Sequence, residues 1–383
     1  MAAHESEGEA INITEIPEAA RCPEGKDCTL LTDQSSYRSQ IVRLAAEEKG
    51  INYGHFKMDI TRKLTQFEPW YIQLNESAYV PTMLVGPECQ PVCESIDIIK
   101  YIEANFEGKE GRKLQAAVEA NPMYQERFDQ LIALHEGWDV DAFTYGTFNE
   151  NYFLRFSICA TTKRVIRRTL IKRKKNPKLE HLYDQKLIAK RQAIDRTILR
   201  IAETMPEECK KAKEVLVLVD GWMTDGADGP SFALGTDEYT LADVVFSCML
   251  VRLHSNADFF RTQVDTRPKL RQYWDKHVKG RRSFKTAHLA VAQPPSNIGT
   301  FLFLVIFLAF VTAFVMGGLY FFRNYSGMTW SNLYKYVLAL WFSFAIVGFL
   351  MTYYAKKNLE DFCKLVDKKT AGCTNDSLDS HAQ

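Results

Sequence analysis

Three hydroxyls crowd the stretch Ser35-Ser36-Tyr37-Arg38-Ser39, just ahead of a run in which Ile41, Val42, Leu44 and Ala45 keep a helical period and Gly50 offers a stop. The serines therefore fall at or just before a helix N-terminus, where unpaired amide N–H groups and the positive end of the dipole collect. A serine placed there either caps the helix or holds a thiolate or phosphate against it. A second helix start of this kind is Glu94-Ser95, followed by apolar Ile96, Ile98, Ile99, Tyr101, Ile102 and Phe106.

A third concentration of reactive groups is basic. Residues 161–178 hold nine Lys or Arg and no acid, with Val165, Ile166, Leu170 and Ile171 forming an apolar stripe between the charges. This is either a solvated helix face or a surface for anionic lipid headgroups, in which Arg167, Arg168, Lys172 and Arg173 would meet the membrane. No aromatic residues interleave the run, which speaks against nucleic acid. His135, in "HEGWD", lacks the second histidine of a zinc-protease helix and lies one turn from Leu131 and Trp138, so it reads as a partly buried structural histidine. Nine cysteines form no CxxC pair, which points to reduced thiols, no disulfide framework and no metal site.

The elements that must position these groups fall into two sets. After an acidic arm over residues 1–26, expected to be disordered, residues 27–107 read as a small α/β unit. "CTLL" is a strand, residues 36–49 a helix, "NYGHFKMDI" a strand, "QFEPWYIQLN" a loop with a helical turn, "VPTMLV" and "QPV" a hairpin, and "SIDIIKYIEANF" a helix. That order is β-α-β-α-β-β-α, the order of a thioredoxin-like domain. Residues 115–290 read as helical almost throughout, with an insertion at about 160–220. Phe128, Leu131, Ile132, Leu134, His135 and Trp138 share one helix face. Leu187, Ile194, Ile198, Ile201 and Met205 make a packing seam of coiled-coil spacing. "YTLADVVFSCMLVRLH" opens on a capping box, in which Thr240 accepts from the backbone and Asp243 reaches back to the threonine N–H.

The whole chain sets the frame. Its 383 residues and 46% apolar content suffice for two packed domains, and a net charge of +1 gives no field for nucleic acid. The N-terminus has no apolar core of a secretory signal. Residues 298–322 run without a charge and residues 336–355 form a second apolar stretch, each long enough to span a bilayer. Basic residues cluster before and after the pair, so an antiparallel hairpin with both termini in the cytosol is expected, followed by a polar tail over 356–383.

Four segments in order resemble the glutathione transferase superfamily: "SSYRSQIVRL", "AYVPTMLV", "CESIDIIKYI" and "YTLADVVF". The resemblance implies a thioredoxin-like N-terminal domain, an all-α C-terminal domain and glutathione as ligand. It implies that Ser36 donates to the glutathione sulfur and favours the thiolate. Backbone groups of Val80, ahead of a cis Pro81, would pair with the cysteinyl backbone, and Glu94 and Ser95 would take the γ-glutamyl end. Each residue also has an ordinary reading, as a turn proline or a helix cap.

A narrower resemblance rests on "FEPWYIQLNESAYVP", "DAFTYG" at 141–146, "ATT" at 160–162, the insertion and the apolar C-terminus. These are similar to the ganglioside-induced differentiation-associated protein family of mitochondrial outer-membrane proteins. That resemblance implies a cytosol-facing body on the mitochondrial outer membrane and a part in mitochondrial fission and network organisation with weak or absent catalysis; a homodimer is one candidate assembly, which the sequence itself does not fix. The endoplasmic reticulum and peroxisome membranes are the alternative locations. The second apolar segment and the Glu94-Ser95 pair depart from that pattern. The alternative function is a membrane-bound glutathione transferase conjugating lipophilic electrophiles. Thiol–disulfide exchange is disfavoured, because the turn offers serines where a cysteine would be needed.

Overall fold

The computed structural model describes residues 15–147, 152–226 and 229–287, with isolated helical residues between 335 and 364. The α/β unit contains β1 (Cys28–Thr32), α1 (Tyr37–Lys49), β2 (Tyr53–Lys57), α2 (Pro69–Leu74), β3 (Thr82–Val85), β4 (Gln90–Cys93) and α3 (Ser95–Asn105). Its sheet has the order β2-β1-β3-β4, with β2 parallel and β3 antiparallel to β1, and β4 antiparallel to β3. Every residue of the central strand β1 is buried. Alternation along β1 sends Cys28 and Leu30 into the apolar cluster under α1 and α3, and Leu31 into the cluster beside α2. The thioredoxin-like topology expected from the element order is the one observed.

α1 ends at Gly50, whose φ of +76° closes the helix in the left-handed conformation. A Cβ there would lie 2.7 Å from the Lys109 Cβ, so both the conformation and the space call for glycine. Of the acidic arm over 1–26, residues 1–14 lie outside the described residues; in the described part Ile16 and Ala20 are buried against Leu31 and Trp70. Two apolar side chains suffice to tie down a segment whose composition is otherwise acidic.

The helical domain comprises α4 (Ala116–Glu119), α5 (Pro122–Glu136), α6 (Val140–Thr147), α7 (Tyr152–Lys175), α8 (Glu180–Ile194), α9 (Ile201–Trp222), α10 (Leu241–His254), α11 (Ala257–Gln263), α12 (Pro268–Tyr273) and α13 (Arg282–Thr286). α10 is buried on all sides except near Arg252 and His254, as its apolar composition requires. Asp243 anchors its start. One carboxylate oxygen accepts from the Thr240 N–H at 2.9 Å and the Thr240 hydroxyl at 2.8 Å; the other accepts from the Ala233 N–H at 2.7 Å and the Tyr273 hydroxyl at 2.9 Å. Thr240 thus donates its hydroxyl to the aspartate of the box.

The segment expected as an insertion, about 160–220, holds most of the hairpin α7–α8 and runs into α9. The hairpin docks on the α/β domain: Leu182 and Tyr183 pack with Leu64, Phe67 and Ile72, and the Tyr183 hydroxyl donates to the Phe67 carbonyl at 2.9 Å. The basic residues expected at a membrane surface take part in this docking. Lys172 pairs with Glu68 at 2.6 Å, Arg173 with Glu180 at 2.5 Å and Asp184 at 2.7 Å, and Arg168 donates to the Arg62 carbonyl. Arg167 lies on the same helix. Intramolecular acids thus meet charge that the sequence left unassigned. The seam through Leu187 to Met205 does not form a coiled coil. A π-helical turn over Asp195–Leu199 breaks the helix, so Leu187, Ile194 and Ile198 pack with α7 residues, whereas Ile201 and Met205 lie on α9.

Among the described residues no helix is long and apolar enough to cross a membrane. The expected span 298–322 lies outside the described residues, as does nearly all of 336–355.

Candidate active site

The turn between β1 and α1 gives each serine a different task. Ser36 is the N-cap of α1; its Oγ accepts from the Ser39 amide at 3.3 Å and donates to the Val80 carbonyl at 3.5 Å. The second contact is at the long limit of a hydrogen bond, so little holds that proton in place. Ser35 donates its N–H at 2.7 Å and its hydroxyl at 2.5 Å to one Asp33 oxygen. Ser39 is buried and accepts from the Asp33 amide at 3.4 Å. Ser36 is half-buried and is the serine whose side chain touches a second loop.

That loop is held from beneath. The Val80–Pro81 peptide bond is cis. The Tyr71 hydroxyl donates to the Tyr79 carbonyl at 2.5 Å, and the Asn75 amide donates to the same carbonyl at 3.1 Å and to the Thr82 hydroxyl at 2.9 Å. The buried polar groups of α2 thus fix the backbone around Val80 and Pro81.

α3 brings the third part. Glu94, its N-cap, has φ of +62°, an uncommon conformation for a side-chain-bearing residue. Its carboxylate lies 3.4 Å from Arg38 in the first turn of α1, but both side chains are about half exposed, 47% and 50%, so the pair is weak. Ser95 is fully buried, and its hydroxyl has no partner among the described residues. Ser36 thus meets the Val80 carbonyl directly, with Pro81 next in the chain, and Arg38 reaches Glu94, the residue before Ser95.

The helical domain closes the other side. From α10, Arg252 donates to the Ser35 carbonyl at 3.2 Å and sits 5.7 Å from the Tyr37 ring centre. From α8, Lys186 donates to the Ser77 carbonyl and places its ammonium 3.2 Å from the Tyr79 ring centre. Burial, then the neighbouring Lys190, lower the Lys186 pKa to about 7 against the opposing pull of Glu94 and Asp141. His135 packs 5.6 Å from the Tyr37 ring, and burial, then Arg38, lower it to about 4. It is neutral near pH 7 and structural, as its spacing suggests.

A cavity of about 570 Å³ adjoins the serine turn. Asp33, Ser35, Gln40, Lys57, Arg62 and Arg252 are among its lining residues. Arg252, Lys186 and Gln40 escape a reading of the sequence because each sits in an amphipathic or buried helix with no motif around it. A basic residue in the last turn of the otherwise apolar α10 is the one available signal, and it marks Arg252. Among the described residues no group of three or more His, Cys, Asp or Glu could hold a metal ion.

Residues 35–105 match the family described as glutathione S-transferase, N-terminal domain. The chain is 28% identical over 252 residues to glutathione S-transferase TCHQD of Arabidopsis thaliana, covering 65% of this chain and 85% of that protein. It is 29% identical over 256 residues to the tetrachloro-p-hydroquinone reductive dehalogenase of Sphingobium chlorophenolicum, covering 66% and 91%. Glutathione transferase F7 from Populus trichocarpa aligns in structure with a TM-score of 0.43 at 15% identity, over 68% of this chain and 97% of that one. The similarity to glutathione S-transferases thus falls on the thioredoxin-like N-terminal domain, which a helical domain follows.

Proposed function

We propose that the chain binds glutathione along the edge formed by α1, the Val80–Pro81 loop and α3, and transfers its sulfur to an electrophile. One observation carries this reading: the Ser36 hydroxyl, on a helix N-terminus, lies 3.5 Å from the Val80 carbonyl. A peptide laid against Val80 would bring its cysteinyl sulfur to Ser36. The hydroxyl would turn from a weak contact to donate to that sulfur, and the dipole of α1 would add to the preference for thiolate. The γ-glutamyl end would meet Glu94 at the start of α3, just outside the Ser95 hydroxyl, which has no partner among the described residues. The relatives named a glutathione transferase and a reductive dehalogenase support thiol chemistry on small molecules, and the turn over residues 33–36 offers no thiol of its own.

Calorimetry with glutathione and the ultraviolet absorbance of bound thiolate test this reading on the full chain. Ser36→Ala should abolish the thiolate signal and lower turnover about 100-fold, the scale of removing one donor to a developing anion. Loss of the cap alone should cost about 1 kcal/mol in stability. An unchanged thiolate signal in the variant would remove Ser36 from the chemistry.

A second reading rests on the two apolar segments, 298–322 and 336–355. In it the transferase-like body is anchored in the mitochondrial outer membrane facing the cytosol, as in the ganglioside-induced differentiation-associated family, and organises the mitochondrial network with little catalysis. Imaging of the tagged chain beside mitochondria, with and without residues 298–383, tests it. The intact chain should ring mitochondria and alter the network, and the truncated chain should be diffuse and inert. Equal effects of both chains would sink the anchor.

A further inference from the structure

Helix α7 has two unlike faces. Cys159, Thr162, Ile166 and Thr169, at steps of three or four residues, are buried, and Cys159 and Ile166 pack with Leu187 and Ile194 of α8. Val165 and Leu170 pack at the edges of the neighbouring clusters. Of the four apolar residues in the basic run, Ile171 alone points outward, with 54% of its surface exposed. Arg164, Arg168, Lys174 and Lys175 stand around it on the outer face, all exposed, and Lys178 follows just past the helix end. At 1.5 Å per residue the stripe from Arg164 to Lys175 is about 17 Å long.

The cations divide between these faces. Lys172 and Arg173 are taken up by Glu68, Glu180 and Asp184 within the docked hairpin. Arg164, Lys174, Lys175 and Lys178 form no ion pair among the described residues, and residues 161–178 hold no acid that could supply one. A second element extends the same face. Arg168 donates to the Arg62 carbonyl, which sets the exposed Arg62 and Lys63 alongside α7. The acid of that loop, Asp59, has one carboxylate oxygen occupied by the Thr61 and Arg62 amides, at 3.2 and 2.7 Å. Unmatched cations around one apolar side chain suit a surface with anions at its outside and hydrocarbon just beneath. The basic run has no aromatic residue on which a nucleic-acid base could stack.

We propose that the outer face of α7 and the 61–63 loop rest on an anionic bilayer. Arg62, Lys63, Arg164, Lys174, Lys175 and Lys178 would meet lipid phosphates and carboxylates, and Ile171 would reach the boundary between headgroups and acyl chains. The contact leaves Lys172 and Arg173 paired within the hairpin. Being ionic and shallow, it is reversible and screened by salt. It is independent of the glutathione reading. An anchor through 298–322 would keep the body near a bilayer, and the basic face would then fix which side lies against it.

The test uses the full chain and phosphatidylcholine vesicles made with and without phosphatidylserine. Acetic anhydride footprints the lysines, and mass spectrometry reads each one. Phosphatidylserine should slow acetylation of Lys63, Lys174, Lys175 and Lys178 at least about fivefold, the scale of one cation at an anionic surface. Exposed Lys210 and Lys213 on α9 should stay within about twofold. Salt at about 1 M, where screening acts within about 3 Å, should erase the protection. The lipid concentration for half protection should rise about fivefold in Arg164→Gln, and by a similar factor in Ile171→Asn. Both positions are exposed, so neither variant disturbs the core. No slowing, or equal slowing of every lysine, would overturn the proposal. Wild-type behaviour of Ile171→Asn would also overturn it, since the face would then fit an acidic protein segment as well as a bilayer. Flotation reads the anchor separately. A chain that floats with both vesicles but gains no protection from phosphatidylserine keeps the anchor and loses this contact. A chain that floats only with phosphatidylserine, its four lysines protected, keeps the contact and loses the anchor.

Discussion

Asp33 organises the serine turn more than any serine does. Its carboxylate accepts from Ser35 twice and from Ile60, while its amide donates to Ser39, so one side chain joins the end of β1, the start of α1 and the loop after β2. Replacing Asp33 by Ala leaves the part-buried Ser35 and Ile60 amides without this acceptor and should lower unfolding free energy by about 1 kcal/mol. Asp33→Asn keeps one acceptor oxygen and should lose about half as much. Urea denaturation of both variants measures this, and equal stability of Asp33→Ala and wild type would show that water replaces the carboxylate. The type of chemistry at this turn is legible in the sequence, because hydroxyls before a helical period can only cap or bind. The division of labour among Ser35, Ser36 and Ser39 is not. It depends on Asp33 and on Val80, and a contact between residues 36 and 80 leaves no periodic trace.

The hairpin α7–α8 shows the same limit for elements. Its helical character and positive charge are plain in residues 161–178, but the acids that answer the charge lie at Glu68, Glu180 and Asp184, outside that run. Lys186 makes the docking sensitive to pH. Burial first, then Lys190, hold its pKa at about 7, below its ordinary value of about 10.4 in the undocked chain. Between these values the undocked state binds more protons, so docking strengthens as pH rises from about 7 toward 10 and weakens as pH falls. The Tyr79 ring and the Ser77 carbonyl favour the charged form and reduce the effect. Lys186→Met should therefore be neutral or stabilising at pH 7, with the gap to wild type closing near pH 9.5. Hydrogen exchange over residues 180–194 at the two pH values reads the docking directly. A variant with weaker protection at both would mean that the ammonium holds the hairpin down.

Across the whole molecule, the order of a thioredoxin-like unit followed by helices can be read from strand and helix periods, because each period is local. The joint between the two domains cannot, since its contacts join residues far apart in the chain, one of them an acid from α1 and bases distant from it. Glu48, 2% exposed, pairs with Arg112 at 3.0 Å and with Arg281, whose second nitrogen lies at 2.7 Å, and Ser283 donates to it as well. Arg281 in turn stacks 3.6 Å from the Tyr239 ring centre, beside the start of α10. Burial alone would raise the Glu48 carboxyl; the Arg281 hydrogen bond and charge, with Ser283 and Arg112, overcome it and hold the carboxyl below its ordinary value. A lowered carboxyl pKa contributes stability that is complete above the unfolded value, about 4.3, and is lost as pH falls through the folded value. Glu48→Gln leaves Arg281 partly buried without its counter-charge, which should cost about 3 kcal/mol at pH 7, on the scale of breaking a buried pair. Below the folded pKa the wild-type carboxyl is neutral too, so the difference between the two chains should shrink steadily below about pH 4. Urea midpoints of both chains from pH 7 to pH 3 measure that convergence, and a gap that stays constant over the range would place the joint's strength in packing rather than in this ion pair.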